Sequence, residues 1–229
     1  MKPRIRKTSH TGMLICPCEV PSSFLRHVIS YGLLKIDDNQ MKHLIIYAHP
    51  NHHSLNSHLK NVVVDYLIDN NHQVEVRDLY ALHFNPVLSL SDMAGQLRGE
   101  VSYDVKQEQE FIIWADCLTF IYPIWWTGLP AIIKGYIDRV LSYGFAYRYD
   151  QGIQKGLLSG KKAVIINTQG KSKAEYEAMG MDKALLLTSD QGIYTYVGME
   201  IIDHLFLDKA DKPLSDHLEN WTNKIKNTY

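Results

Sequence analysis

Residues 122–147, "YPIWWTGLPAIIKGYIDRVLSYGFAY", decide the interpretation of this chain. They begin where an apolar run, residues 117–122, ends, and that run has the length and composition of a buried strand. After a short aromatic loop, Gly128 and Pro130 favour a helix start, and the apolar residues beyond them recur at helical spacing. A strand, a loop and a helix in this order are typical of the edge of an open α/β sheet where ligands bind.

Two adjacent tryptophans, Trp125 and Trp126, occupy the loop of this stretch beside Pro123. Buried tryptophans usually serve a core, and that interpretation stays open. Because two neighbouring side chains cannot both point inward in the same way, we expect at least one of them to face a cleft. A flat aromatic wall at a sheet edge suits a planar ring ligand.

The stretch resembles the family of flavodoxin-fold NAD(P)H:quinone oxidoreductases, which includes the flavoproteins ancillary to glutathione-regulated potassium efflux. In that family a segment P-x-x-W-x-x-x-P-A-I-L-K-G-W-x-(D/E)-R-V lies along the flavin ring. The matching residues here are Pro123, Trp126, Pro130, Ala131, Lys134, Gly135, Asp138, Arg139 and Val140. The resemblance implies a bound flavin, either FAD or FMN, with NAD(P)H as electron donor.

The rest of the chain alternates strands and helices, which predicts a parallel, doubly wound sheet. The predicted strands are residues 42–48, 73–80, 117–122, 162–168 and 199–207. Predicted helices cover residues 55–67, 91–97, 104–114, 130–141, 183–197 and 214–226, while residues 169–180 and the "GFAYRY" segment are expected to be loops. The resemblance implies a flavodoxin-like five-stranded sheet in the order 2-1-3-4-5, with the ligand between strands 1 and 3.

Composition limits the possible partners. The 229 residues are 45% hydrophobic and carry a net charge of −1, which predicts one soluble domain with a sizeable core. No basic excess exists to neutralise nucleic-acid phosphates or an anionic membrane, and no run approaches the ~20 apolar residues of a spanning helix. We therefore expect neither nucleic acid binding nor membrane insertion.

The first 40 residues differ from the remainder of the chain because they show no sustained period. We expect residues 1–40 to be an extension, either a disordered appendage or an overlong start, and residues 41–229 to be the flavin-binding domain. A targeting role for the extension stays open. Cys16, Cys18 and Cys117 cannot form a disulfide framework, which favours a reducing, cytoplasmic location.

Three loops are expected to meet at the strand ends. The first is "AHPNHHSLNSH", where a helix start offers free N–H groups to a phosphate. By resemblance, His49, Ser54, Leu55 and Asn56 form the family's flavin-phosphate loop. Simple helix capping by Ser54 is the alternative. The loop's histidines also suggest a metal site, but no carboxylate or thiolate accompanies them, so we expect no metal.

The second loop supplies the flavin's edge. The resemblance implies cofactor contacts from Pro123, Ile124, Trp125, Trp126 and Thr127. Relatives often have Gln at the position of Trp125 and an aromatic residue at that of Thr127. These two departures are expected to reshape the substrate pocket without removing flavin binding.

The third loop follows the fourth strand. In the family a T-T-G-G turn stands here, whose backbone amides reach the flavin's pyrimidine side; this chain has Asn167, Thr168, Gln169 and Gly170. A tyrosine and often a histidine follow in relatives. Tyr176 is present and is the expected catalytic residue, but Met181 or Asp182 stands where the histidine falls.

The "GFAYRY" segment also resembles the family. Its aromatic residues match those that family dimers place around the partner's active site, which implies a homodimer. The expected substrate pocket is Trp126, Phe145, Tyr147 and Tyr149. Ordinary loop packing is the alternative for each of the last three.

The first functional hypothesis is therefore a flavin-dependent NAD(P)H dehydrogenase that passes two electrons to quinones or similar acceptors. The alternative is an ancillary subunit of a potassium efflux system, with a transporter as partner. A flavodoxin-type electron carrier is disfavoured, because such proteins have a T-G-x-T phosphate loop and strongly acidic composition, and this chain has neither.

Overall fold

A computed structural model describes residues 40–211 and 217–229 of the chain. Five parallel strands form the central sheet in the order β2-β1-β3-β6-β7. The strands are β1 (Lys42–Tyr47), β2 (Gln73–Asp78), β3 (Cys117–Pro123), β6 (Lys162–Thr168) and β7 (Glu200–Leu207). An antiparallel hairpin, β4 (Tyr147–Asp150) and β5 (Ile153–Gly156), lies outside the sheet. The predicted flavodoxin-like order 2-1-3-4-5 is confirmed.

Helices connect the strands and cover both faces of the sheet. They are α1 (Leu55–Asp69), α2 (Leu90–Arg98), α3 (Tyr103–Trp114), α4 (Ala131–Val140), α5 (Lys173–Met179), α6 (Met181–Leu185) and α7 (Leu218–Thr228). A π-helix, Leu186–Thr195, continues directly from α6. Within residues 40–211 and 217–229, none of these helices combines the length and apolar character needed to span a membrane.

The central strands are apolar on both faces because each face is covered by helices. Along β1, Leu44 and Ile46 join the core that contains α3 and α4, whereas Ile45 and Tyr47 join the core that contains α1 and α7. The alternation of side chains along a strand thus feeds two separate cores from one continuous apolar run. This explains why the sequences of the central strands are unbroken hydrophobic runs.

Two residues of the segment 122–147, Gly135 and Arg139, have structural roles. Gly135 lies against Pro86 so closely that a Cβ there would overlap the Pro86 carbonyl, so only glycine fits. Arg139 is buried and donates to the carboxylates of Asp92 and Asp104. Burial by itself would raise the pKa of Asp104, but hydrogen bonds from Arg139 and from Ser102 lower it.

Two segments expected to be loops contain regular secondary structure. The "GFAYRY" segment leads into the β4–β5 hairpin, whose turn residues Gln151 and Gly152 have φ of 51° and 80°. Two successive residues with positive φ make the tight turn that matches strand twist. Within residues 169–180, α5 begins at a capping box formed by Ser172 and Glu175 and ends at Gly180, with φ of 69°. These short elements depend on turn and cap chemistry rather than on apolar periodicity.

Helix boundaries also differ from prediction. The helix expected over residues 183–197 begins at Met181 and becomes a π-helix at Leu186. The last described helix begins at Leu218, and the predicted start at Leu214 lies outside the described residues. Residues 1–39, with Cys16 and Cys18, also lie outside them, so the predicted extension stays a prediction.

Candidate active site

A cleft of about 250 Å³ lies where the carboxyl ends of β1, β3, β6 and β7 meet. The order of the sheet places the connections of β1 and β3 on opposite sides, and such a switch point is where open α/β sheets bind ligands. The lining residues are His49, Ser54, Leu55, Asn56, Pro123, Ile124, Trp125, Thr168, Gln169, Gly170, Ala210 and Asp211. The three loops expected to converge from the sequence therefore do converge.

The first loop provides a positive end to the cleft. Ser54 caps α1 by accepting a hydrogen bond from Ser57 N, at 3.2 Å. In the described part of the chain, the N–H groups of Leu55 and Asn56 make no hydrogen bond, as expected for the first turn of a helix. Capping by Ser54 and free N–H groups thus coexist. No lysine or arginine of the described residues lines the cleft, so the helix terminus is its source of positive potential.

Asn56 joins the first loop to the third. Its buried side chain donates from Nδ2 to Thr168 Oγ1, at 2.8 Å, while its Oδ1 has no hydrogen-bond partner within residues 40–211 and 217–229. The side chain of Gln169 is buried in the same way, with Nε2 bonded to the carbonyl of Lys171 and Oε1 without a partner in that part of the chain. Buried acceptors are usually satisfied, so two unpartnered oxygens on residues that line one cleft indicate a missing hydrogen-bond donor.

Ala210 and Asp211 were not predicted from the sequence as site residues. They follow β7, and Ala210 N donates to the Gln169 carbonyl, at 2.9 Å. Their position could have been inferred, because the carboxyl ends of all parallel strands lie at one edge of the sheet. Asp211 adds a carboxylate to the cleft wall.

The backbone amide of Gln169 does not face the cleft. Gln169 N donates to the Leu207 carbonyl, at 3.0 Å, so the expectation that this amide reaches a ligand is wrong. Gly170 N has no partner among the described residues and remains available. The tie to β7 accounts for the difference, since it orients the Gln169 peptide toward the neighbouring strand.

The second loop is a tight turn with strained residues. Trp125 and Gly128 exchange two backbone hydrogen bonds, and between them Trp126 and Thr127 have φ of 52° and 55°. A bulky and a β-branched residue are both rare in this conformation, and such outliers concentrate at functional sites. Trp125 is 41% exposed and lines the cleft beside His49, with ring centroids 5.9 Å apart.

Three residues predicted to bind the cofactor do not line the cleft. Trp126 is 100% exposed and points into solvent, and the adjacent Thr127 donates its hydroxyl to the Trp126 carbonyl. Asn167 is buried below the cleft, where Nδ2 donates to the Tyr122 carbonyl and Oδ1 accepts from His204. Spacing along the chain could not distinguish lining positions from these.

Tyr176 lies in a neighbouring cavity of about 430 Å³. Its ring is buried against Ile124 and Leu185, and Gln169 lines both this cavity and the cleft. Asp182 also lines the neighbouring cavity, and its buried Oδ1 has no hydrogen-bond partner in the described ranges of the chain. The side chain of Gln169 therefore separates the expected catalytic tyrosine from the cleft.

The aromatic residues of the "GFAYRY" segment do not reach the cleft of their own chain. Tyr147 lines a third cavity, of about 540 Å³, beside α4 and the π-helix. Phe145 packs against the core, as the loop-packing alternative expected. Tyr149 is half exposed, and its hydroxyl lies 3.1 Å from that of Tyr196; this hydrogen bond, with burial second, raises the pKa of Tyr196 to about 12.

Known proteins resemble this chain along most of its length. A family model described as "Flavodoxin-like fold" matches residues 41–227. An NAD(P)H oxidoreductase of Haemophilus influenzae, itself uncharacterised, is 40% identical over 182 residues, which are 76% of this chain and 90% of that protein. The ribosyldihydronicotinamide dehydrogenase (quinone) of Pongo abelii is 33% identical over 181 residues, which are 70% and 78% of the two chains.

A solved structure agrees with these relatives. A Klebsiella pneumoniae protein provisionally identified as a quinone reductase superposes with a TM-score of 0.76 and 31% identity, over 82% of this chain and 83% of that one. The chain therefore belongs to the flavodoxin-fold family of NAD(P)H:quinone oxidoreductases and is an enzyme of the oxidoreductase class.

Proposed function

We propose that this protein is a flavin-dependent NAD(P)H dehydrogenase that reduces quinones or similar acceptors by two electrons. The observation that carries the proposal is the arrangement of hydrogen-bonding groups in the cleft. Free N–H groups stand at one end, and two side chains that line the wall, Asn56 and Gln169, each have a buried oxygen with no donor among the described residues. A flavin nucleotide has the matching pattern, with an anionic phosphate, a chain of hydroxyls and a ring N–H.

The phosphate would lie at the start of α1. The N–H groups of Leu55 and Asn56 and the positive end of the helix dipole favour an anion there. Ser54 keeps this end ordered through its cap to Ser57. The first loop thus binds by charge and by backbone donors, and needs no basic side chain.

The hydroxyls and the ring N–H would satisfy the acceptors of the wall. Asn56 Oδ1 and Gln169 Oε1 are buried without partners among the residues that the structure describes, and the Asp211 carboxylate lines the same cleft. An unsatisfied buried acceptor costs about 1–3 kcal/mol, so filling both would stabilise the complex. Trp125 provides a flat wall for a ring, and the N–H of Gly170 offers a donor at the turn.

The overall reaction would be NAD(P)H plus a proton plus a quinone giving NAD(P)⁺ and the hydroquinone. A bound flavin supplies the two-electron chemistry. The chain's own part is to hold the ring between Trp125 and the Thr168–Gly170 turn and to exclude water. The Tyr176 hydroxyl, from the neighbouring cavity, is the proposed hydrogen-bond donor to the reacting centre.

The test begins with the purified protein. Its absorbance spectrum should show a bound flavin, and mass analysis of the released cofactor decides between FMN and FAD. NADH and NADPH oxidation should then depend on added quinone with a two-electron stoichiometry. Protein that neither contains nor takes up a flavin would contradict the proposal.

We also propose that two copies form a homodimer. Helix α2 exposes Leu90, Met93 and Leu97 at helical spacing, and Leu90 and Leu97 are 85% and 81% exposed. These residues lie beside the third cavity, which Met93, Leu97 and Tyr147 line. Apolar surface of this kind favours a protein contact, and a second copy would bring Phe145, Tyr147, Tyr149 and Trp126 of one chain near the other's cleft.

Light scattering tests the dimer directly. The wild type should have twice the mass of one chain at micromolar concentration, and Leu97→Glu should shift it toward the monomer. The exposed Ile68→Glu, on α1, is the matched control. The efflux-subunit alternative and the cytoplasmic location remain predictions from the sequence, since neither the geometry of the cleft nor these relatives bear on them.

A further inference from the structure

A buried polar chain runs beneath the cleft through four elements of the fold. Asp190, on the π-helix, lies with Oδ1 2.8 Å from Nδ1 of His204, on β7. His204 Nε2 lies 2.7 Å from Asn167 Oδ1, on β6, and Asn167 Nδ2 donates to the carbonyl of Tyr122, on β3, at 3.1 Å. The side chain of His204 is 4% exposed, so these contacts are largely shielded from solvent.

The chemistry of the partners fixes the direction of each hydrogen bond. The Tyr122 carbonyl can only accept, so Asn167 turns Nδ2 toward it and presents Oδ1 to His204. His204 Nε2 must therefore donate, while Nδ1 lies against Asp190 Oδ1. The imidazole is thus held at both ring nitrogens, and Asp190 and Asn167 together fix its orientation.

The π-helix places Asp190 in this chain. Helices of this kind are rare and are frequent at functional sites. Ser189 and Asp190 are both buried in it, and Ser189 Oγ lies 2.8 Å from Asp190 Oδ1. Tyr194, on the next inward turn, pairs its hydroxyl with that of Tyr122 at 3.2 Å. The π-helix thus contacts both ends of the chain of hydrogen bonds, through Asp190 at His204 and through Tyr194 at Tyr122.

The same hydrogen bonds lie next to two of the three loops that line the cleft. Tyr122 immediately precedes the Pro123–Thr127 loop, and Asn167 immediately precedes Thr168. The Thr168 carbonyl accepts from Ile124 N, at 2.8 Å, so the two loops are joined directly above the buried chain. Threonine, which stands at the Asn167 position in the resembling family's turn, has a single side-chain oxygen. Asparagine offers a donor and an acceptor and can bond both neighbouring strands.

We propose that His204, with Asp190, is a positioning residue of the cleft. It holds the Asn167 side chain, and Asn167 holds the ends of β3 and β6 in the register that sets the distance between the two loops. The inference rests on the proposed flavin-dependent function. Among the described residues, the hydrogen-bond partners of His204 are Asp190 and Asn167, so its effect on the cofactor is exerted through Asn167.

The first measurement uses the full chain without flavin. ¹⁵N NMR of the histidine rings should show one imidazole, assigned by its loss in His204→Gln, whose two nitrogens are both hydrogen-bonded. Asp190→Asn should shift the Nδ1 signal of this ring. A ring with a nitrogen free of hydrogen bonding in the wild type would overturn the assigned hydrogen bonds, whatever the protein does with flavin.

The second measurement tests positioning. His204→Leu should weaken FMN binding about tenfold and shift the midpoint potential of the bound flavin, since hydrogen bonds to charged groups are lost. His204→Gln keeps one donor toward Asn167 and should recover most of the affinity. Asp203→Asn, on the same strand but bonded to Thr228, is the matched control and should bind within about twofold of wild type.

The outcomes separate the inference from the proposed function. If wild-type protein binds no flavin, the proposed function fails, and the NMR result still decides the hydrogen-bond assignment. If His204→Leu does not fold, the His204→Gln and Asp190→Asn variants carry the comparison. Wild-type affinity and wild-type potential in the folded variants would overturn the positioning role.

Discussion

The side chain of Asn56 donates to Thr168 Oγ1 at 2.8 Å, and this buried hydrogen bond joins the start of α1 to the end of β6. The two residues are 112 positions apart in the sequence. Because the contact links the loop with free N–H groups to the turn with the unpartnered Gln169 oxygen, it holds the two ends of the cleft together.

Asn56→Ala should therefore weaken flavin binding. The change removes both the link to Thr168 and an acceptor of the wall, and we expect a loss of at least about tenfold in affinity. Asn70→Ala is the control, because its Nδ2 donates to the Tyr66 carbonyl at the opposite end of α1. Isothermal titration with FMN or FAD measures both. Equal affinities in the two variants would contradict the role assigned to Asn56.

Thr127→Gly should stabilise the protein. Thr127 has φ of 55°, which glycine adopts without the steric cost that a β-branched residue incurs. After the greater chain entropy of glycine is subtracted, we expect a gain of about 0.5–1 kcal/mol and a rise of about 1–4 °C in Tm. Gln151→Gly relieves a similar φ of 51° in the hairpin, away from the cleft. A decrease in Tm for Thr127→Gly, but not for Gln151→Gly, would show that Thr127 makes a stabilising contact.

His43 should make the stability depend on pH. Burial, and then the neighbouring His72, lower the pKa of His43 from 6.5 to about 4, and both of its ring nitrogens lack hydrogen-bond partners among the described residues. Above pH 6.5 neither the folded nor the unfolded form is protonated, and the stability is complete. Between pH 6.5 and about 4 the unfolded chain takes up a proton that the folded chain does not, so the free energy of unfolding falls with falling pH, by up to about 3 kcal/mol.

Urea denaturation across this pH range measures the effect. His43→Leu should flatten the profile, whereas His58→Leu, at an exposed position of α1, should leave it unchanged. A His43→Leu profile as steep as that of the wild type would mean that other groups cause the acid sensitivity.

Tyr176→Phe should lower turnover more than Asp182→Ala does. In the proposed reaction the tyrosine hydroxyl would donate a hydrogen bond to the reacting centre, and its loss should cost about tenfold. A carboxylate at position 182 would repel negative charge on a reduced flavin, so its removal should cost less. Stopped-flow reduction with NAD(P)H compares the two variants directly. A larger loss in the Asp182 variant would reverse the assignment.

The sequence by itself determined the sheet and the three loops. Continuous apolar runs such as residues 117–122 are typical of strands covered on both faces, and the alternation with helices makes them parallel. Parallel strands bring their carboxyl ends to one edge, so the loops after β1, β3 and β6 had to meet. The predicted lining residues Asn56, Trp125 and Gly170 lie on the loops that this topology brings together.

Only the tertiary structure decided which side chains face the cleft and what lies beneath it. The sequence does not distinguish Trp125 from Trp126, but Trp126 has a positive φ and its side chain points into solvent. The contact of His204 with Asn167 spans 37 positions, and no local pattern encodes a hydrogen bond between strands. The π-helix that brings Asp190 to His204 likewise departs from the 3.6-residue period by which helices are recognised. Period and composition specify buried faces, whereas directed contacts between distant polar groups arise only when the strands pack side by side.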